Sequence, residues 1–207
     1  MSWARKLGIA VIALALPTVV FAAPSSKEAR ARSDEVVKQA EADIAQAGGS
    51  NPFDSQLIHR AIDQLHRALK IDSHNDSAYV DLGFCYATLR DASTAEDMYR
   101  TATLINPSPA NFKELADIYL RVGNAEAALE AANAGLAKDA RNARLYNAKG
   151  LALSDLQRTD EAEAAFRQAV RFDPTLKVAQ QNLDALTGRV RGGRGAATSG
   201  QSAGLPE

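Results

Sequence analysis

The chain has 207 residues, 46% of them hydrophobic, and 24 basic side chains stand against 25 acidic ones. That near-balance excludes general nucleic-acid binding, which needs a basic surface. A single cysteine, Cys85, excludes an intramolecular disulfide, so packing alone must hold the fold.

The first 22 residues read as a signal peptide. Arg5 and Lys6 make a short basic start, Leu7 to Val20 is an apolar run, and Val20 and Ala22 are the small residues before a cut after Ala22. The run is short for a membrane span; the alternative is an uncleaved N-terminal anchor. Cleavage leaves no stable membrane span and predicts a periplasmic or secreted product. Residues 23–32 form a polar segment in which Ser25 and Glu28 are spaced as a capping box. Val36, Val37, Ala40, Ile44 and Ala47 then recur at helical spacing, up to the break Gly48-Gly49-Ser50-Asn51-Pro52. A second helix over Ser55 to Ile71 puts Ile58, Ala61, Ile62, Leu65, Ala68 and Leu69 on one side. No segment has the alternation of a strand, so the chain is expected to be all-α, built of helix pairs.

A repeat follows. From Gly83, Tyr86 lies 3 residues on, Ala95 12 on, Tyr99 16 on, Ala102 19 on and Pro107 24 on. From Gly150 the same steps reach Leu153, Ala162, Phe166, Ala169 and Pro174; from Ala116 they reach Tyr119, Ala128, Ala132, Gly135 and Ala140. The origins are 33 and 34 residues apart, the period of a stacked-helix solenoid. Gly83, Ala116 and Gly150 are expected to face Ala95, Ala128 and Ala162 across each pair, small against small. Tyr86, Tyr119 and Leu153 set the opening of the pair, Tyr99 and Phe166 fill the space to the neighbouring pair, and Pro107 and Pro174 stop the second helices.

These segments resemble tetratricopeptide repeats. Tyr79, Leu82, Gly83, Tyr86, Ala95, Tyr99, Ala102 and Pro107 match the family's pattern fully. Tyr146, Gly150, Ala162, Phe166, Ala169 and Pro174 match it with Lys149 and Leu153 in the Leu and Tyr places. Phe112, Leu115, Ala116, Tyr119, Gly123 and Ala128 match its first half. The resemblance implies a right-handed solenoid of helix-turn-helix pairs over 33–187. An irregular repeat spans about 33–75, full repeats span 76–108, 109–142 and 143–176, and a polar capping helix covers 175–187. Residues 188–207, rich in Gly, Ser, Ala and Arg, read as a disordered tail.

The resemblance also implies a non-enzymatic scaffold that binds a protein or peptide partner of the cell envelope in its concave groove, with no cofactor and no nucleic acid. The family's groove positions fall on Ser77, Val80, Phe84, Ala87 and Thr88, on Ala110, Lys113, Asp117, Leu120 and Arg121, and on Arg144, Asn147, Leu151, Ser154 and Asp155. Val80, Phe84, Leu120 and Leu151 are the expected apolar anchors. Lys113, Arg121 and Arg144 are expected to pair with carboxylates, while Asp117 and Asp155 keep the groove from being purely basic. The clamp that some relatives use for acidic chaperone tails falls on Val80, Phe84, Glu114, Arg144 and Ala148, of which only Arg144 suits an anion. Family analogy extends to assembly of an envelope machine such as a pilus or secretion system. Self-association is the alternative, with a metal- or cysteine-dependent enzyme a remote one.

Four features have bland readings beside functional ones. His59, Asp63 and His66 share a helix face as zinc ligands would, but with no further ligand they read as a solvated face. Cys85 stands where Ile118 and Ala152 stand in the other repeats, which makes it a packing residue. Arg191-Gly192-Gly193-Arg194-Gly195 resembles RNA-binding tails and reads as flexible; Asn75-Asp76-Ser77 is a glycosylation triplet.

Overall fold

The computed structural model describes residues 27–49 and 54–198, with the side chains described as far as 188. The signal segment over 1–22, its cut and the residues after Thr198 lie outside them. Among the described residues every element is a helix: α1 (Lys27–Gly49), α2 (Ser55–Ile71), α3 (Asp76–Thr88), α4 (Ala92–Ile105), α5 (Pro109–Arg121), α6 (Ala125–Lys138), α7 (Ala143–Asp155), α8 (Thr159–Phe172) and α9 (Lys177–Thr198). The first helix takes in much of the segment expected to precede the domain. The last continues past residue 187; no proline stands within it to stop it.

The loops explain the period. Each second helix ends on an extended residue: Asp72, Asn106, Asp139 or Asp173. Asp72, Asp139 and Asp173 fold the turn by accepting, on Oδ1, the backbone N–H two residues on. Asn75, Ser108 and Asn142 then cap the next helix with a side-chain oxygen. From Asn106 the cap comes one residue sooner, at Ser108, which gives the 33-residue step. Proline is not what ends these helices, since Asp139 has the same geometry with Ala140 after it. Asn75 is fully buried and its amide donates to Ser33 and Asp34, which withholds the triplet at 75–77 from glycosylation. Within the hairpins, Arg90, Gly123 and Gln157 occupy one left-handed turn position with φ of 65°, 79° and 59°. Only Gly123 adopts it without the roughly 1 kcal/mol cost of a Cβ.

Consecutive helices pair as α1/α2, α3/α4, α5/α6 and α7/α8. The first helices also touch one another, α1 to α3, α3 to α5, α5 to α7 and α7 to α9. The second helices do not meet each other. One layer is therefore tight and the other spread, which bends the stack and makes the first-helix layer its concave side.

Inside two of the hairpins, α3/α4 and α7/α8, the contact differs from the expected one of small on small. A Cβ added to Gly83 would lie 2.8 Å from the Tyr99 ring, and one added to Gly150 would lie 2.5 Å from the Phe166 ring. The glycine thus faces the aromatic residue 16 positions on, because a long side chain on the second helix leans back across the seam. The middle repeat changes both members together: Ala116 replaces the glycine and Ala132 the ring, and both are fully buried. A second exchange of this kind follows, with Gly135 making room for Leu145, whose Cδ1 would be 2.7 Å from an added Cβ. Cys85, Ile118 and Ala152 are all buried, and burial pushes the Cys85 thiol up to about 12, with Asp81 adding to it, so it is an inert packing group.

Gly150→Ala should destabilise the fold by about 1–3 kcal/mol through overpacking. In a Phe166→Ala background it should cost at least about 1 kcal/mol less, since that pair reproduces Ala116 and Ala132. Thermal unfolding of the two single variants and the double variant checks this; additive losses would contradict the pairing.

Candidate functional site

The groove is built from the floor upward. With its ring against Gly83, Tyr99 reaches between α3 and α5. Burial raises its phenol above the ordinary range; Glu114, Asp117 and Asp81 add to that and Arg121 works against it. Four charged side chains from two first helices therefore act on one hydroxyl. Half-buried Val80, Ala87 and Leu120 pack onto the same core, while Phe84 stays 48% exposed.

The cations expected to wait for a partner differ in their freedom. Lys113 bonds to Asp117 at 2.9 Å and to Glu114 at 3.0 Å. Burial alone would lower its amine, but these bonds outweigh it and hold it above its usual value. Arg121 and Arg144 are exposed. Arg144 and Lys113 flank a cleft of about 340 Å³, which Ser108, Pro109, Ala110, Glu114 and Asn142 also line.

At the third repeat the last helix covers part of the groove. Asn182 of α9 donates to Asn147 Oδ1 at 2.9 Å, and Leu151 shares its core with Leu183 of α9. Asn147 and Leu151 thus serve the capping contact, and Asp155 remains exposed at the end of α7. The structure therefore brings Val80, Phe84, Lys113, Asp117, Leu120 and Arg121 together around α3 and α5. Arg144 lies one helix further on.

One member was missed in the sequence. Asp81 stands at the place of Glu114 and Ala148 in the later repeats, and its Oδ2 is buried with no hydrogen-bond partner among the described residues. Burial, and then the charge of Glu41 on α1, push its carboxyl up to about 7. The sequence shows the position it shares with Glu114, but not the burial that sets it apart. His59, Asp63 and His66 are all exposed, with His66 Nε2 3.4 Å from the Tyr86 hydroxyl. Among the described residues no group of three metal-binding side chains gathers, and no helix is long and apolar enough to cross a membrane.

Two tetratricopeptide repeat models match the chain, one over residues 76–109 and one over 113–176. No curated protein matches it. Solved structures with the same fold include the segment of MamA from residue 41 to its end, from Desulfovibrio magneticus RS-1. It is 17% identical, with a TM-score of 0.65, covering 80% of this chain and 89% of that one. YrrB, described as a tetratricopeptide-repeat protein with an unusual peptide-binding site, is 21% identical with a TM-score of 0.54, over 65% of this chain and 70% of its own. The first such domain of Spaghetti (RPAP3), bound to the HSP90 peptide SRMEEVD, is 21% identical with a TM-score of 0.54, over 58% of this chain and 96% of its own.

Because the Asp81 carboxyl is raised above its unfolded value, the folded protein binds a proton that the unfolded chain has released. Its contribution to stability is full near pH 4 and is lost as pH rises to about 7. Asp81→Asn should therefore raise the melting temperature by several degrees at pH 8 and by little near pH 4. Melting curves of the two proteins across that range check it; a constant difference would contradict it.

Proposed function

Because this chain is a tetratricopeptide-repeat protein, and such repeats build scaffolds for protein–protein interaction, we propose that it is a non-enzymatic adaptor that holds a partner segment in its concave groove. The observation that carries the reading is Phe84, a large apolar side chain held exposed on the concave layer with Val80 and Leu120 half-buried beside it. An aromatic anchor among polar neighbours is the kind of residue that dominates an interface. Arg121 and Arg144 add exposed charge for orientation.

The reading extends to place and partner. The N-terminal signal pattern supports a periplasmic or secreted protein whose partner lies in the cell envelope, and an assembly role in a pilus or secretion system fits that setting. The peptide held by RPAP3 is acidic. Here the clamp positions carry Val80, Phe84, Glu114, Arg144 and Ala148, so an acidic chaperone tail is not the proposed occupant.

The test is crosslinking of the tagged protein in intact cells, followed by mass spectrometry, for the natural chain and for a Phe84→Ala, Arg144→Glu variant. One dominant envelope protein, lost at least about tenfold in the variant, is the expected result. Captures indifferent to the variant, or crosslinks only between copies of this chain, would contradict the groove reading.

A further inference from the structure

We infer that the end of the groove formed by α1, α3 and α5 takes a basic stretch of its partner, one with an arginine or lysine beside an apolar side chain; this rests on the groove reading above.

The charges at this end do not balance. Glu41 on α1, Asp81 on α3, and Glu114 and Asp117 on α5 put four carboxyl groups against two cations, Lys113 and Arg121. Lys113 is already spent, bonded to both Glu114 and Asp117. The charge of Glu41 on α1 reaches Asp81, the two helices are in contact, and no cation among the described residues is ion-paired with either carboxyl. An incoming guanidinium or ammonium pairs with the exposed Glu41 and supplies the counter-charge that draws the buried Asp81 carboxyl into its ionised form, and a charge-assisted bond is among the stronger polar contacts. Beside them, on the helix that carries Asp81, Val80 and Phe84 offer apolar surface, and Phe84 lies one turn from Asp81, on the same face. The exposed ring also suits the face of a cation. Toward α7 the character reverses, with Arg144 exposed and Asn147 taken up by α9. The groove is thus acidic where its apolar anchor is exposed, and an acidic segment would meet repulsion there.

The test is selection of a phage-displayed library of random short peptides on the immobilised full chain, with parallel selections on Glu41→Gln/Asp81→Asn and on Phe84→Ala. Circular dichroism confirms that each variant is folded. The expected result is several-fold enrichment of arginine and lysine next to aliphatic or aromatic residues. A synthetic peptide of the enriched sequence should bind about tenfold more weakly to both variants. Enrichment of acidic peptides that depend on Arg144 would overturn this inference and leave the groove reading standing. Basic peptides that bind both variants unchanged would overturn the placement at Glu41 and Asp81. No enrichment on any of the proteins would overturn both readings.

Discussion

The structure depends on the seam between the two helices of a hairpin, where an aromatic ring on the second helix lies against a residue without a side chain on the first. Tyr99 against Gly83 and Phe166 against Gly150 bring the backbones together, and Ala132 against Ala116 reaches the same end with two small groups. Once the seam is fixed, each hairpin is a rigid wedge. The loops, folded by an aspartate or asparagine at the end of one helix and a capping residue at the start of the next, stack the wedges at a 33- or 34-residue step. First helices touch and second helices do not, so the stack curves and a groove follows.

The same ring links fold to function. Tyr99 is a packing residue at its carbon atoms, and its hydroxyl is within electrostatic reach of Asp81, Glu114, Asp117 and Arg121. The groove floor is therefore held by the core, which keeps Val80 and Leu120 in place with no partner bound and leaves Phe84 exposed beside them. Pre-organisation of this kind lowers the entropy lost on binding. The last helix limits the groove at its other end, where Asn147 and Leu151 are spent on holding α9.

The repeat was legible because close packing leaves few choices at Gly83, Ala95, Tyr99 and Ala102, and a strict spacing survives any change between them. All four are buried. Cys85 was read correctly as packing from the residues at its place in the other repeats. Partnerships across the seam were less legible. Spacing gives the positions but not the reach of a side chain, so Gly83 was paired with Ala95 when Tyr99 is the group that closes on it. The loop chemistry was likewise credited to Pro107 and Pro174, when the turn forms at Asp139 without a proline. In the site, Lys113 looked free because its sequence neighbours Glu114 and Asp117 were not seen as its partners. Asp81 was missed because its interest comes from burial and from Glu41, forty residues away in the chain.

The central claim is that the concave layer is the working surface. It is tested most directly by placing a photo-crosslinking amino acid at Phe84, on α3, and in a second protein at Leu104, which is 78% exposed on α4. Illumination of cells carrying each protein should give a discrete adduct from position 84 and none from position 104. An adduct from position 104 alone would move the interaction to the outer layer and contradict the claim.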